Sequence, residues 1–255
     1  MPSARGQQRI GLRVGLYGGA FDPPHYAHIA LAQAAVAQLG LDVLYIIPTG
    51  QPWMKQRRLS AGAHRLAMAQ QAFAHLPRVQ VDDCELQRSG TTYTIDTLRE
   101  LQARPAHAGK NVDWFLVMGE DLLHTLPQWQ RAKQLLREVT VAVLPRTQAA
   151  TATAAPVATA TAAANTATAA ATTMGPTAPV LQAPPGVRVV PLHLPASSAD
   201  ANPSHTVSAT SIRQGVQQRA ALAPHERQAW LQTLVPQAVA QYIEDHRLYF
   251  TPHAS

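Results

Sequence analysis

The sequence predicts an α/β fold, a doubly wound parallel sheet forming a single domain, and three observations lead there. Short apolar runs rich in β-branched residues alternate with longer helical runs along most of the 255-residue chain. The short runs are continuously apolar, as strands buried on both faces are. A glycine turn follows the first strand and opens the first helix, at the strand end where such sheets bind ligands.

The elements follow in order. Arg13–Tyr17 reads as the first strand and His25–Leu39, rich in alanine, as the first helix. A strand over Val43–Pro48 ends in a Pro-Thr-Gly loop, and a helix over Ser60–Ala74 follows. Strands over Val79–Asp82, Trp114–Met118, Thr140–Leu144 and Val187–Pro191 are expected, with helices over Thr94–Arg104 and Trp129–Arg137 between them. Helices over Thr210–Gln217, Pro224–Leu234 and Pro236–His246 close the chain, and the apolar spacing of the last suits docking on the core. Residues 1–12 read as a flexible extension and 13–250 as the domain. The domain is interrupted at 147–186 by an uncharged, Ala/Thr-rich segment with no apolar periodicity, read as a flexible insertion that activity does not need.

Composition narrows the function. A hydrophobic share of 46% is ordinary for a soluble protein, and no run approaches the ~20 apolar residues that span a membrane. The first dozen residues lack the apolar stretch of a secretory signal, and the single cysteine, Cys84, fits a reducing cytoplasm. The net charge of +6 is scattered, without the basic stripe and interleaved aromatics of a nucleic-acid binder. A small anionic substrate accounts for it with fewer assumptions.

The most informative string is Gly18-Gly19-Ala20-Phe21-Asp22-Pro23-Pro24-His25-Tyr26-Ala27-His28. Glycines let backbone approach an anion closely, and a helix start presents unpaired N–H groups and a positive dipole end. Histidines three apart share one face of the first turn. A zinc reading is disfavoured, because neither H-E-x-x-H nor a cysteine pair is present.

This string resembles the signature of the nucleotidyltransferase superfamily that carries the H-x-G-H motif, and most closely that of the bacterial nicotinate-nucleotide adenylyltransferases; Ala27 stands where the family has Gly. The resemblance implies a Rossmann-like nucleotidyltransferase fold in which His25 and His28, with the Gly18, Gly19, Ala20 and Phe21 backbone, surround ATP phosphates. Val207-Ser208-Ala209-Thr210-Ser211-Ile212-Arg213 is similar to a late family element, implying that Ser208, Thr210 and Arg213 hold the leaving pyrophosphate; alone it would read as an ordinary cap. Pro48 to Lys55 matches a family loop at Lys55, assigned a phosphate contact, while Trp53 and Met54 replace its Pro and His. Gly90 to Leu98 resembles a loop that holds the nicotinate end, making Tyr93 and Thr94 substrate candidates. Gly119 and Asp121 match positions expected on the adenosine side, Trp129 one that stacks on nicotinate, and Arg146 a basic position near a phosphate. The C-terminal Pro236…Tyr249 stretch also fits, with no chemical role assigned.

The expected reaction is transfer of the adenylyl group of ATP, accompanied by Mg²⁺, to nicotinate mononucleotide. The expected products are nicotinate adenine dinucleotide (deamido-NAD) and pyrophosphate. A pantetheine-phosphate adenylyltransferase or glycerol-phosphate cytidylyltransferase shares the histidine pair but lacks the Tyr-Thr-x-x-Thr-Leu and Gly-x-Asp…Trp strings. A non-catalytic nucleotide- or nucleic-acid-binding protein is the alternative from another class. Intact histidines and an intact Ser-x-Thr-x-x-Arg element argue against it.

Overall fold

The computed structural model describes residues 11–52, 59–145, 184–194 and 207–251. Its principal sheet has six parallel strands: β1 (Leu12–Gly19), β2 (Val43–Pro48), β4 (Val79–Val81), β6 (Val112–Gly119), β7 (Val139–Leu144) and β8 (Val189–Pro191), in the order β4-β2-β1-β6-β7-β8. Two short strands, β3 (Gln51–Pro52) and β5 (Thr91–Thr92), pair beside it. The doubly wound parallel sheet is therefore as expected. Among the described residues no helix is long and apolar enough to cross a membrane.

The two faces of the sheet are sorted by the period of two along each strand. Val14 and Leu16 of β1, Tyr45 and Ile47 of β2, and Trp114, Leu116 and Met118 of β6 point into one core. Tyr17, Leu44, Ile46, Phe115 and Val117 point into the other. The first core is covered by α4 (Thr94–Ala103), a 3-10 helix (Glu120–Gln128) and α5 (Ala132–Glu138). The second is covered by α1 (Tyr26–Leu39), α2 (Gly62–Phe73) and the three C-terminal helices α6 (Ala209–Gln218), α7 (Pro224–Gln232) and α8 (Gln237–Asp245). A short helix α3 (Cys84–Gln87) follows β4. Burial of both faces is why these strands read as unbroken apolar runs.

The chain leaves β1 outward through β2 and β4, then returns to lay β6 on β1's other side and continues through β7 and β8. Strand order reverses between β1 and β6, and the carboxyl ends of these two strands form the crevice where this class of sheet binds ligands.

Two boundaries differ from expectation. β1 starts at Leu12, paired with Val112, one residue inside the expected extension. The helix expected from Trp129 starts at Ala132, because the chain first runs through the 3-10 helix, and Arg131 stands at φ +52°. Of the 147–186 segment, only residues 184–186 are described; they lead into β8.

Candidate active site

β1 ends at the glycine pair. A Cβ on Gly19 would lie 2.9 Å from the ring of Phe21, so Gly19 is required by its own loop. A Cβ on Gly18 or on Gly119 would meet nothing within 4 Å. The two strand ends that flank the crevice thus carry residues whose missing side chains leave open space. Phe21 is buried and holds φ +47°, a region costly for a non-glycine residue. Its ring is fixed edge-on between Tyr17 and Phe73, with centroids 5.5 and 5.7 Å away.

Four residues on, His25 caps α1 in an extended conformation (φ −142°, ψ 173°) and is only 5% exposed. Its backbone N–H donates to Nδ1 of His28 at 3.2 Å, and the two rings lie 3.8 Å apart. With Nδ1 of His28 accepting, the proton of the neutral ring sits on Nε2. Nδ1 of His25 is buried with no hydrogen-bond partner among the described residues. Burial pushes the His25 imidazole down from 6.5 to about 4, so without ligand it is neutral at pH 7. His25 is therefore a neutral hydrogen-bonding group that an anion would draw toward protonation.

This has a consequence for stability. Because the unfolded chain binds the His25 proton at 6.5 and the folded one only near 4, stability is full above pH 6.5 and falls as pH drops toward 4. The loss reaches about 3 kcal/mol at the bottom of that window. Denaturant unfolding of wild type and His25→Gln between pH 7 and pH 4 measures it, as a steeper decline in wild type; parallel curves would contradict it.

The late element docks on the glycine loop. Ser208 caps α6 by accepting from Ser211 N–H at 3.1 Å, and is exposed with Thr210. Arg213 is buried; one guanidinium nitrogen donates to the Asp22 carbonyl at 2.7 Å and the other to Thr210 Oγ1 at 3.0 Å. On the other side of Phe21, the Ala20 carbonyl accepts from Arg65 at 3.1 Å. Two buried arginines thus hold the two carbonyls that flank the strained residue.

The crevice itself is a cavity lined by Gly18 and Gly19 of β1, Met118 of β6, and Tyr93, Thr94 and Trp129, among others. Tyr93, rather than a threonine, is the extended N-cap of α4, so Thr94 begins that helix with an N–H that has no intrahelical acceptor. The half-buried Trp129 donates from Nε1 to Thr125 Oγ1 at 3.0 Å, which fixes the ring plane against the cavity. Glu85, Thr92 and Thr97 also line it; sequence reasoning had given them no role. Glu85 is buried and accepts from Thr97 Oγ1 at 2.8 Å and from Gly50 N–H at 3.3 Å.

The structure therefore joins the glycine loop, both histidines, Thr210 and Arg213 on one side of the β1 end. It gathers Tyr93, Thr94 and Trp129 around the crevice on the other. Asp121 is exposed on the 3-10 helix and is not part of the cavity wall. Lys55 and Arg146, with Trp53 and Met54, lie outside the described residues. Ala27 sits inside α1 without a positive φ, so alanine costs the backbone nothing there. Cys84 is buried, and burial raises its thiol pKa, as a structural cysteine requires. Arg65, Ser60 and Tyr249, all hydrogen-bonded to this loop or to one another, were not expected; no local pattern marks them.

Comparison with known proteins agrees with this geometry. Residues 16–215 match the model of the cytidylyltransferase-like family. A protein named "Probable nicotinate-nucleotide adenylyltransferase" from Albidiferax ferrireducens is 50% identical over 134 residues, 52% of this chain and 66% of that protein. Its namesake from Methylibium petroleiphilum is 33% identical over 240 residues, covering 94% of this chain and 93% of the relative. Among solved structures, a Plasmodium falciparum nicotinic acid mononucleotide adenylyltransferase complexed with NaAD shares the fold, with TM-score 0.62 at 14% identity over 95% of this chain and 100% of that one. With the signature loop at the strand end, the cavity at the switch point and relatives aligned along nearly the whole length, the chain belongs to the nicotinate-nucleotide adenylyltransferases of the cytidylyltransferase-like family.

Proposed function

We infer that the protein transfers the adenylyl group of ATP to nicotinate mononucleotide, giving nicotinate adenine dinucleotide and pyrophosphate in NAD biosynthesis. The observation that carries this is an aromatic-walled cavity at the β1–β6 switch point, with Trp129 and the start of α4 on one side and, on the other, Gly18 and Gly19, which open the loop leading to His25 and His28.

The acceptor's 5′-phosphate is already an anion near neutral pH and needs no base. It attacks the α-phosphorus of ATP in line, forming one P–O bond as the bond to pyrophosphate breaks. The chain's part is to hold two anions together and offset the charge that develops. The N-terminus of α1 directs its dipole at the phosphates, and Nε2–H of His28 donates to them. Neutral His25 gains a proton readily once an anion lies beside it. Arg213 and Thr210 form the opposite wall, where pyrophosphate departs. The pyridine ring stacks on Trp129, and its carboxylate lies at the N–H groups that begin α4.

Mg²⁺ is proposed as the companion of ATP, supplying further charge neutralisation on the phosphates. Phosphate oxygens and water would be its chief ligands.

Incubation with Mg²⁺ and ATP plus, in turn, nicotinate mononucleotide, nicotinamide mononucleotide or pantetheine phosphate, and with Mg²⁺ and CTP plus glycerol phosphate, tests the reading. Pyrophosphate and dinucleotide are expected with nicotinate mononucleotide above the others; preference for either non-pyridine acceptor would refute it. Trp129→Ala is expected to raise KM for the mononucleotide about tenfold, equivalent to 1–1.5 kcal/mol of ring contact, with KM for ATP little changed. Equal losses for both substrates would argue against stacking.

A further inference from the structure

The C-terminal segment reaches into the glycine loop. Tyr249 is 4% exposed, and its hydroxyl donates to Oδ1 of Asp22 at 2.7 Å. Asp22 is completely buried; its other carboxylate oxygen accepts from the Ser60 backbone N–H at 3.3 Å, and its carbonyl accepts from Arg213. Ser60 is itself tied through its carbonyl to Arg65, which also holds the Ala20 carbonyl. Residues 20 to 22 are thereby gripped from three distant parts of the chain. A backbone held at φ +47° at Phe21 persists only when its surroundings over-determine it.

We propose that Tyr249 is a positioning residue for adenylyl transfer: through Asp22 it holds the glycine loop, and with it His25 and His28, in the orientation that meets the α-phosphate. The role rests on the reaction inferred above. A buried carboxylate that loses a donor at 2.7 Å shifts toward whatever donor remains. The loop it belongs to ends three residues later at His25. A displacement of about 1 Å at reacting groups costs up to about 10²-fold in rate. The mononucleotide cavity, walled by Trp129 and α4 on the opposite core, does not share this contact.

Tyr249→Phe removes only the hydroxyl and keeps the packed ring. It is expected to lower kcat about tenfold or more while KM for nicotinate mononucleotide stays within about twofold. Ile243→Val, a wholly buried change on α8 that touches none of the hydrogen bonds to residues 20–22, provides a stability-matched control with kcat unaltered. Asp22→Asn reaches the same bond from its other end and is expected to show the same kcat-against-KM split. In an Asp22→Ala background, Tyr249→Phe should add no further loss. Amide hydrogen exchange reads the clamp independently of turnover: exchange over residues 18–25 should quicken in Tyr249→Phe and not in Ile243→Val. Unchanged exchange there, an undiminished kcat, or a kcat loss no larger than that of Ile243→Val at equal Tm would each overturn the role. Failure of the wild-type protein to form a dinucleotide would instead count against the inferred reaction, and exchange would still decide the clamp.

Discussion

His28→Ala is expected to lower the rate of adenylyl transfer by about 10²–10³ while the protein remains folded. The ring's Nδ1 accepts from the His25 N–H, which holds the ring in place before substrate arrives and leaves its N–H on Nε2. Such preorganised donors are strongest where charge builds up in the transition state. The substitution also removes the acceptor for the helix's N-cap amide, at a cost of about 1 kcal/mol. His28→Gln separates the two effects: a glutamine at the third helical position reaches back to the cap amide, so stability is expected to recover while the rate does not. Near-normal turnover in a folded His28→Ala protein would remove this ring from the mechanism.

The second large effect concerns the cavity wall. Gly50→Ala is expected to destabilise the fold by about 3 kcal/mol, seen as a fall in Tm of about 5 °C or more. A Cβ at Gly50 would lie 2.1 Å from the Glu85 carbonyl oxygen and 2.7 Å from Thr92 Cγ2, so backbone has to move. Gly50 N–H is also a donor to the buried Glu85 carboxylate, which holds Thr97 on the first turn of α4. The disturbance therefore spreads to the start of the helix that lines the cavity. Gly18→Ala is the contrast, because its Cβ would meet nothing within 4 Å. Its stability is expected to change by less than about 0.5 kcal/mol, yet ATP binding should weaken if, as proposed, nucleotide approaches through that empty space. A Gly18→Ala protein with wild-type affinity for ATP would show that this space is not used.

Much of this architecture was legible beforehand because its signals are local. β2 spans Val43–Pro48 as expected, since a fully buried strand must be apolar at every position. α1 begins just past His25 because that residue caps it. The signature loop could be read because strand end, glycines and helix start must be consecutive to build an anion site. The 3-10 helix over Glu120–Gln128 was not legible: it holds Pro127 and keeps only Leu123 and Leu126 buried, too few positions to set a period. The β3–β5 pair joins two residues with two others forty positions away, which leaves no pattern in either segment.

Taken alone, the amino-acid order determined the parallel sheet, the position of the glycine turn and the family, because periodicity and contiguous motifs are properties of neighbours along the chain. Only the tertiary structure decided that Tyr93 caps α4, that Gly19 serves Phe21 while Gly18 leaves space, and that His25 is neutral. It also brought Asp22, Ser60, Arg65, Arg213 and Tyr249 together around one turn. Those outcomes depend on burial and on hydrogen bonds between residues as many as 227 positions apart, and desolvation and long-range pairing exist only once the chain has closed on itself.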